Sequence, residues 1–324
     1  MTPDLPAALR AALDRALEGV PRKGLAERAA RTSEAYRAGK PSSAVIHEAE
    51  DALAYALTRL PATYAACASV FAEAARRAPG FVPTILLDAG AGTGAASWAA
   101  SEIWPTLASL TWLDASAPFL ALAAQLAAAA PPALRTAGAR RIDLTSAGPL
   151  PKADLVVASY ALAEIAPDKQ DSTISELWSA SEGILVLVEP GTPAGYARIL
   201  AARTALIAAG ATILAPCPHK AACPLTGSDW CHFSVRLPRS RDHRLAKGAE
   251  APFEDERFSY LIAARPGIVF ESPRPRVLAP PRVTKPGIAL KLCGGDGQIE
   301  QRLVPRRDKP AYAVARRLDW GDTL

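Results

Sequence analysis

Along the first eighty residues, apolar positions recur at helical spacing. "LPAALRAALDRALEGV" and "SAVIHEAEDALAYALTRLPATYAACASVFAEAARRA" each place Leu, Val, Phe and Ala three and four apart, with Pro21, Pro41 and Pro61 as punctuation. From residue 81 the period changes. "TILLDAG", "LTWLDAS", the stretch around 154–159 and "GILVLVEPG" are short apolar runs with strand character, and helical segments such as "GAASWAASEIW", "APFLALAAQLAAAA" and "PAGYARILAARTALIAAG" separate them. Strands apolar on both faces and alternating with helices predict a parallel, doubly wound α/β sheet. "CHFSVRL" and "RFSYLIAAR" are candidates for its closing strands. From about 266 proline becomes frequent and the helical period vanishes. "KLCGGDGQIEQRLVP" there has the pattern of a hairpin turning at "GGDG". The predicted organisation is a helical region over 1–80, an α/β body over 81–264 with a cysteine-rich insertion at 215–247, and a small β-rich module over 265–324.

Charge sharpens this division. The chain has 324 residues and a formal net charge of +5. Its last sixty residues hold twelve Lys/Arg against six acids, so the remainder is close to neutral. A second basic stretch, "RLPRSRDHRLAK", contributes Arg236, Arg239, Arg241, Arg244 and Lys247 beside a lone Asp242. Regional excess of this kind suggests a polyanionic partner, with nucleic acid the leading candidate, and Arg306 and Arg307 belong to the same expectation. No run of about 18 strongly apolar residues predicts a membrane span. The N-terminal stretch lacks a secretory pattern, and its acids argue against a transit peptide. Four of the five cysteines fall after residue 216, a clustering that suggests metal or redox chemistry in a reducing compartment, expected to be a bacterial cytoplasm.

"LLDAGAGTGAAS" sets Asp88, Gly90, Gly92 and Gly94 where the first strand turns into a helix. Glycine lets the backbone turn sharply and approach a ligand closely, and the helix N-terminus offers free N–H groups. The spacing is G-x-G-x-G, which fits a dinucleotide fingerprint poorly. It resembles motif I of class I S-adenosylmethionine-dependent methyltransferases. Asp114, ending the next strand, can accept ribose hydroxyls, and Asp143 falls where such folds contact adenine, although a turn role suits it equally. No Asn/Asp-Pro-Pro-aromatic motif follows the fourth strand. Tyr160, Glu164 and Glu189 are the polar candidates for catalysis in the cleft, and methyl transfer can proceed by orientation alone. Pro216-Cys217 raises a lesser alternative, a cytosine-C5 RNA methyltransferase with Cys217 as nucleophile.

Cys217, Cys223 and Cys231, with Cys293 downstream, could meet in one four-thiol site. Without a short C-x2–4-C knuckle the spacing does not separate zinc from an iron–sulfur cluster. His47 and Cys67 lie in helical segments and suit structural roles.

The segments "LLDAGAGTGAASWAA", "YALAEI", "LVEPGTPAGY", "PCPHKAACPL", "WCHFSVRLPRSRDHRLAKG" and "FEDERFSYL" together resemble a methyltransferase-like family linked to the small ribosomal subunit, found in mitochondria and bacteria. The resemblance covers roughly residues 85–264 and is most specific over 215–262. It implies a 4Fe–4S cluster on Cys217, Cys223, Cys231 and Cys293, with His219 and His232 beside the ligands or facing RNA. It also implies binding to small-subunit ribosomal RNA during assembly, either as an RNA methyltransferase or as a catalytically inactive assembly factor.

Overall fold

The computed structural model describes residues 4–146 and 148–324. Three helices come first: α1 (Ala7–Leu17), α2 (Arg22–Arg37) and the long α3 (Ala49–Arg77). Pro61 lies inside α3 and does not end it. Proline removes one backbone N–H, but Leu57, Leu60, Ala62, Ala65 and Ala66 around it are all buried. Their packing carries the helix through.

The body then alternates. β1 (Ile85–Ala89), α4 (Ala95–Ile103), β2 (Ser109–Asp114), α5 (Ala117–Ala127), α6 (Pro132–Arg135) and β3 (Gly138–Arg141) form its first half. β4 (Ala153–Ser159), α7 (Pro167–Ala180), β5 (Ser181–Pro190), α8 (Pro193–Ala208), β6 (Thr212–Ala215), β7 (Phe233–Pro238), α9 (Arg241–Lys247) and β8 (Phe253–Ala264) complete it. The strand order is β3-β2-β1-β4-β5-β8-β6. The first five strands are parallel, and β8 runs antiparallel to both β5 and β6.

Alternation along the strands sorts their side chains to two faces. Leu86, Leu155, Val157, Ile184 and Val186 share one core with α1, α3, α4 and α5. Leu87, Val156, Leu185 and Leu187 share the other with α7 and α8. The N-terminal helices, which the sequence marked only as a helical region, are therefore a layer of the sheet's own core.

β8 is twelve residues long and binds two strands end to end along one edge. Its C-terminal part pairs β6 (Ala215 with Ile262), and its N-terminal part pairs β7 (Phe233 with Phe258). The cysteine segment 216–232 is the excursion the chain makes between these two stretches of edge. Beyond β8, the short strands β9 (Arg276–Val277) and β10 (Arg282–Val283) flank the predicted hairpin, β11 (Gly287–Cys293) with β12 (Ile299–Pro305). With α10 (Lys309–Ala315) they enclose a small core of Val277, Ile288, Leu290, Leu292, Val304 and Ala315.

Candidate functional site

In an open parallel sheet, ligands bind outside the strand carboxyl ends where the strand order reverses. Here that point lies between β1 and β4, and two loops meet there: the glycine loop 90–94 and the loop 160–164. Gly90, Gly92 and Gly94 all have positive φ, at 74°, 54° and 80°. A Cβ on Gly90 would stand 2.6 Å from Cβ of Ala161, so the two loops touch at a place where only glycine fits. A Cβ on Gly92 would meet nothing within 4 Å, which leaves that position open to a ligand.

The two acids of this motif play different parts. Asp88 is wholly buried, and its Oδ2 accepts from the amide (3.2 Å) and hydroxyl (2.7 Å) of Ser97 in α4. Trp112 Nε1 donates to the same hydroxyl at 3.0 Å. Burial pushes the Asp88 carboxyl up to about 7, against the pull of Ser97. It braces the turn from inside. Asp114 is 9% exposed and holds the loop itself: Oδ2 accepts from Gly92 N at 2.7 Å, and Oδ1 from Ser116 N at 2.8 Å. Each carboxylate oxygen can accept a second hydrogen bond, so Asp114 can serve both the loop and a pair of hydroxyls. Asp143, just past β3, is exposed and accepts from the amide and hydroxyl of Thr145, both at 2.8 Å. This is the turn role that the sequence left open.

The three candidates for acid–base work are all engaged by the protein. Tyr160 donates its hydroxyl to Glu256 at 2.8 Å. Glu164 accepts from the hydroxyl (2.5 Å) and amide (3.1 Å) of Ser42. Glu189 is fully buried and binds Arg198 at 2.5 Å; burial pushes it up to about 7 against the opposing pull of Arg198.

A second site lies on the far side of the sheet edge. Cys217, Cys223, Cys231 and Cys293 all line one narrow cavity of about 30 Å³, together with Tyr196, Arg203 and Arg276. The thiols come from the β6–β7 excursion and from the end of β11, whose register sets Cys293 opposite Ile299. Tyr196 donates to Cys223 Sγ at 3.2 Å, and His219 Nε2 stands 3.3 Å from Cys293 Sγ. Burial pushes the Cys217, Cys231 and Cys293 thiols up, the last to about 12. Arg203 and Arg276 oppose the rise at Cys217. Sequence reasoning missed the role of both arginines, since Arg203 is a lone cation in an apolar helix and Arg276 is one of many in the basic C-terminal stretch. Among the described residues, no three His, Cys, Asp or Glu side chains converge where one metal ion could sit. Cys217 lies in this cavity and not beside the loop after β4, which removes the geometric basis for a cytosine-directed nucleophile. His232 is held between two indoles, stacked on Trp230 (5.0 Å) and edge-on to Trp320 (4.8 Å). Cys67 is wholly buried in α3, as its helical context suggested.

The basic stretch is less free than its sequence implied. β7 pairs β8 with Arg236 opposite Asp255, and the guanidinium forms a two-pronged bond to that carboxylate at 2.7 and 2.8 Å. Arg239 and Lys247 both reach Glu254, at 3.2 and 2.7 Å. The neutralising acids lie in "FEDER", a strand away in sequence but adjacent in the sheet. Arg241 on α9 and Arg306 and Arg307 after β12 remain exposed, while Arg244 is half-buried.

A parallel sheet with one antiparallel strand, β8, inserted between β5 and β6, and with a glycine loop and an acid at its switch point, is the architecture of class I methyltransferases. The sequence profile described as "Mitochondrial small ribosomal subunit Rsm22" matches residues 49–324, and the chain belongs to that family. The human ribosome assembly protein METTL17, mitochondrial, is 32% identical over 291 residues, covering 84% of this chain and 62% of that protein. The Rsm22-cox11 tandem protein 2, mitochondrial, of Schizosaccharomyces pombe is 30% identical over 222 residues, 54% of this chain and 30% of that protein. The chain thus spans less than two thirds of the length of these relatives. Among solved structures, magnesium protoporphyrin IX methyltransferase from Synechocystis with bound SAM shares 19% identity over 68% of this chain and 85% of that one, with a TM-score of 0.42. The expected bacterial cytoplasmic setting is corrected by these findings, because the family and both relatives are mitochondrial.

The buried Asp88 generates a pH dependence. A carboxyl raised from 3.8 to about 7 favours the folded state most when it is protonated in both states. That contribution is present at acidic pH and is lost as pH rises through about 7. Asp88→Asn keeps the neutral shape, so its stability relative to wild type should increase across that interval. Urea unfolding at a series of pH values checks this, and parallel pH profiles for the two proteins would refute it.

Proposed function

We propose that this protein binds small-subunit ribosomal RNA as an assembly protein of the small ribosomal subunit, on a methyltransferase fold that retains a cofactor site. The observation that carries the reading is the family match over residues 49–324, which takes in the glycine loop, the cysteine segment and the basic C-terminal module together. The human relative, a mitochondrial ribosome assembly protein, supports the same role and compartment. Arg306, Arg307 and Arg241 are the phosphate contacts we assign first, because they are exposed. Arg236, Arg239 and Lys247 must share their charge with acids. Affinity for small-subunit RNA should fall steeply with salt, and Arg306→Glu with Arg307→Glu should flatten the log–log slope by about two. Salt-insensitive binding counts against the assignment.

S-adenosylmethionine fits the glycine loop, open at Gly92, with Asp114 as the carboxylate for its ribose hydroxyls. When bound it supplies an activated methyl group. An assembly role without catalysis is favoured by one specific observation: Tyr160, Glu164 and Glu189 are each tied up by the protein itself. Calorimetric titration separates the possibilities at the cofactor. Heat of binding that Asp114→Ala abolishes supports retention of the site, and no heat even at high concentration of S-adenosylmethionine removes it.

For the thiol site we infer a 4Fe–4S cluster held by Cys217, Cys223, Cys231 and Cys293. Four thiols on one cavity suit such a cluster, which carries net negative charge on its thiolates, and the guanidiniums of Arg203 and Arg276 lie there to offset it. Zinc is the weaker reading, because one ion needs all four sulfurs within about 2.3 Å of a single point. The cluster would cross-link the β6–β7 excursion to the hairpin. Anaerobic purification should give a coloured protein containing iron and acid-labile sulfide, both lost in Cys223→Ser; a colourless protein with one zinc would sink the cluster.

A further inference from the structure

A large opening adjoins the glycine-loop site and shares Tyr160 and Glu164 with the loop after β4. A cavity of about 960 Å³ lies between the N-terminal helices and the carboxyl ends of β4 and β5. Its size is at the upper end for ligand pockets, about 300–1,000 Å³. None of the glycine-loop residues lines it. The loop 160–164 stands between the two: Ala161 packs on Gly90, while Tyr160, Ala163 and Glu164 face the cavity.

The lining has a consistent chemistry. One wall is aromatic, with Tyr36 edge-on to Tyr55 at 6.2 Å and Tyr55 backed by Phe119 at 4.8 Å. Six cations line it: Arg37, Lys40, Arg59, Arg198, Arg239 and Lys247. Four of them are neutralised in part by three carboxylates, with Arg198 on Glu189, Arg59 on Glu256, and Arg239 and Lys247 on Glu254. Glu164 adds a fourth acid. The balance is still positive by two, and the excess is located: Arg37 and Lys40 are exposed and take part in no ion pair among the described residues. Glu164 has one oxygen on Ser42 and the other 3.5 Å from the Tyr36 hydroxyl, beside the aromatic wall, where it can accept from an amine.

Tyr160 marks the same place independently. Its φ is +59°, in the left-handed region that residues with a Cβ seldom occupy, and such strain concentrates at ligand sites. The strain is held by its amide, which donates to Val188 O at 2.6 Å, and by its hydroxyl on Glu256. The outcome is a tyrosine fixed on the cavity lining.

We propose that this cavity is a nucleotide site: a base lies against the Tyr36–Tyr55 wall with Glu164 at its edge, and Arg37 and Lys40 take the phosphate. A planar, hydrogen-bonding, singly phosphorylated ligand is what aromatic rings, one acceptor and unpaired cations at the rim recognise together. The source can be a free nucleotide or one residue of an RNA strand. In the latter case the inference deepens the RNA-binding reading and rests on it.

The test uses the full chain with three probes: adenosine and uridine 5′-monophosphate, and a single-stranded RNA of about ten nucleotides. The variants are the half-buried Tyr36→Ala and the pair Arg37→Glu with Lys40→Glu at exposed positions; an unchanged melting temperature verifies that each keeps the fold. Each should weaken binding about tenfold or more. Monophosphates that bind and lose affinity in the variants assign a free-nucleotide site; a loss seen only with the strand assigns an RNA residue. The inference is overturned if no probe responds to either variant. The Arg306→Glu, Arg307→Glu protein separates this from the RNA-binding reading. If that protein loses ribosomal RNA while the cavity variants bind every probe normally, the cavity site fails and the RNA-binding reading stands.

Discussion

The buried guanidinium of Arg276 is the contact on which the arrangement of the parts depends. It is 3% exposed and reaches three separate regions: Glu73 of α3 at 2.6 Å, the Pro216 carbonyl that opens the cysteine segment at 3.0 Å, and the Gly321 carbonyl near the C-terminus at 2.6 Å. Burial alone would raise the Glu73 carboxyl, but Arg276 and Arg76 more than offset it and hold the group below its usual value. A buried charge is tolerated only when its partners are complete, so α3, the cysteine segment and the tail must all be in place together. Arg77, one turn further along α3, repeats the device with the carbonyls of Leu214 and Ser272. The N-terminal helix layer thereby fixes where the cysteine excursion begins and where the C-terminal module attaches.

The same geometry explains why the two sites are separate. The glycine loop and the 160–164 loop occupy the switch point in the middle of the sheet, whereas the thiols gather where β6 hands the edge of β8 over to β7. Only Cys293 comes from outside the body, on a strand whose neighbour β9 begins with Arg276 itself. The residue that anchors the module and the strand that delivers the fourth thiol are thus one unit. Any group bound by the four thiols would tighten an attachment that Arg276 already makes.

Much of the fold was legible because it rests on local periodicity. The parallel strands, their helices and the β11–β12 hairpin follow from apolar runs and glycine turns. Features that depend on neighbours in space were hidden. Pro61 has the local signature of a break, yet buried contacts along α3 override it. β3 was missed because "GARR" is exposed along its whole length and has no apolar face to betray it. Arg236 and Arg239 looked free because Asp255 and Glu254 stand fifteen or more residues away in the chain, brought opposite only by β7–β8 pairing. The four cysteines could be named from spacing, but nothing local marked Arg203, Arg276 or the Arg37–Lys40 rim of the large cavity.

The closeness of Gly90 and Ala161 bears on what such a fold can do. Because a Cβ at Gly90 would already clash with Ala161, the two loops form a thin partition with the glycine loop on one side and the large cavity on the other. Tyr160, held at positive φ by its bond to Val188, presents its ring to the cavity side and leaves only a methyl group towards the glycines. Glu256, which takes the Tyr160 hydroxyl and faces Arg59 of α3, ties this partition to the N-terminal layer. The helices that precede the sheet in sequence therefore shape the chamber beside its switch point, and they bring to it the aromatic wall and unpaired cations that the sheet does not supply.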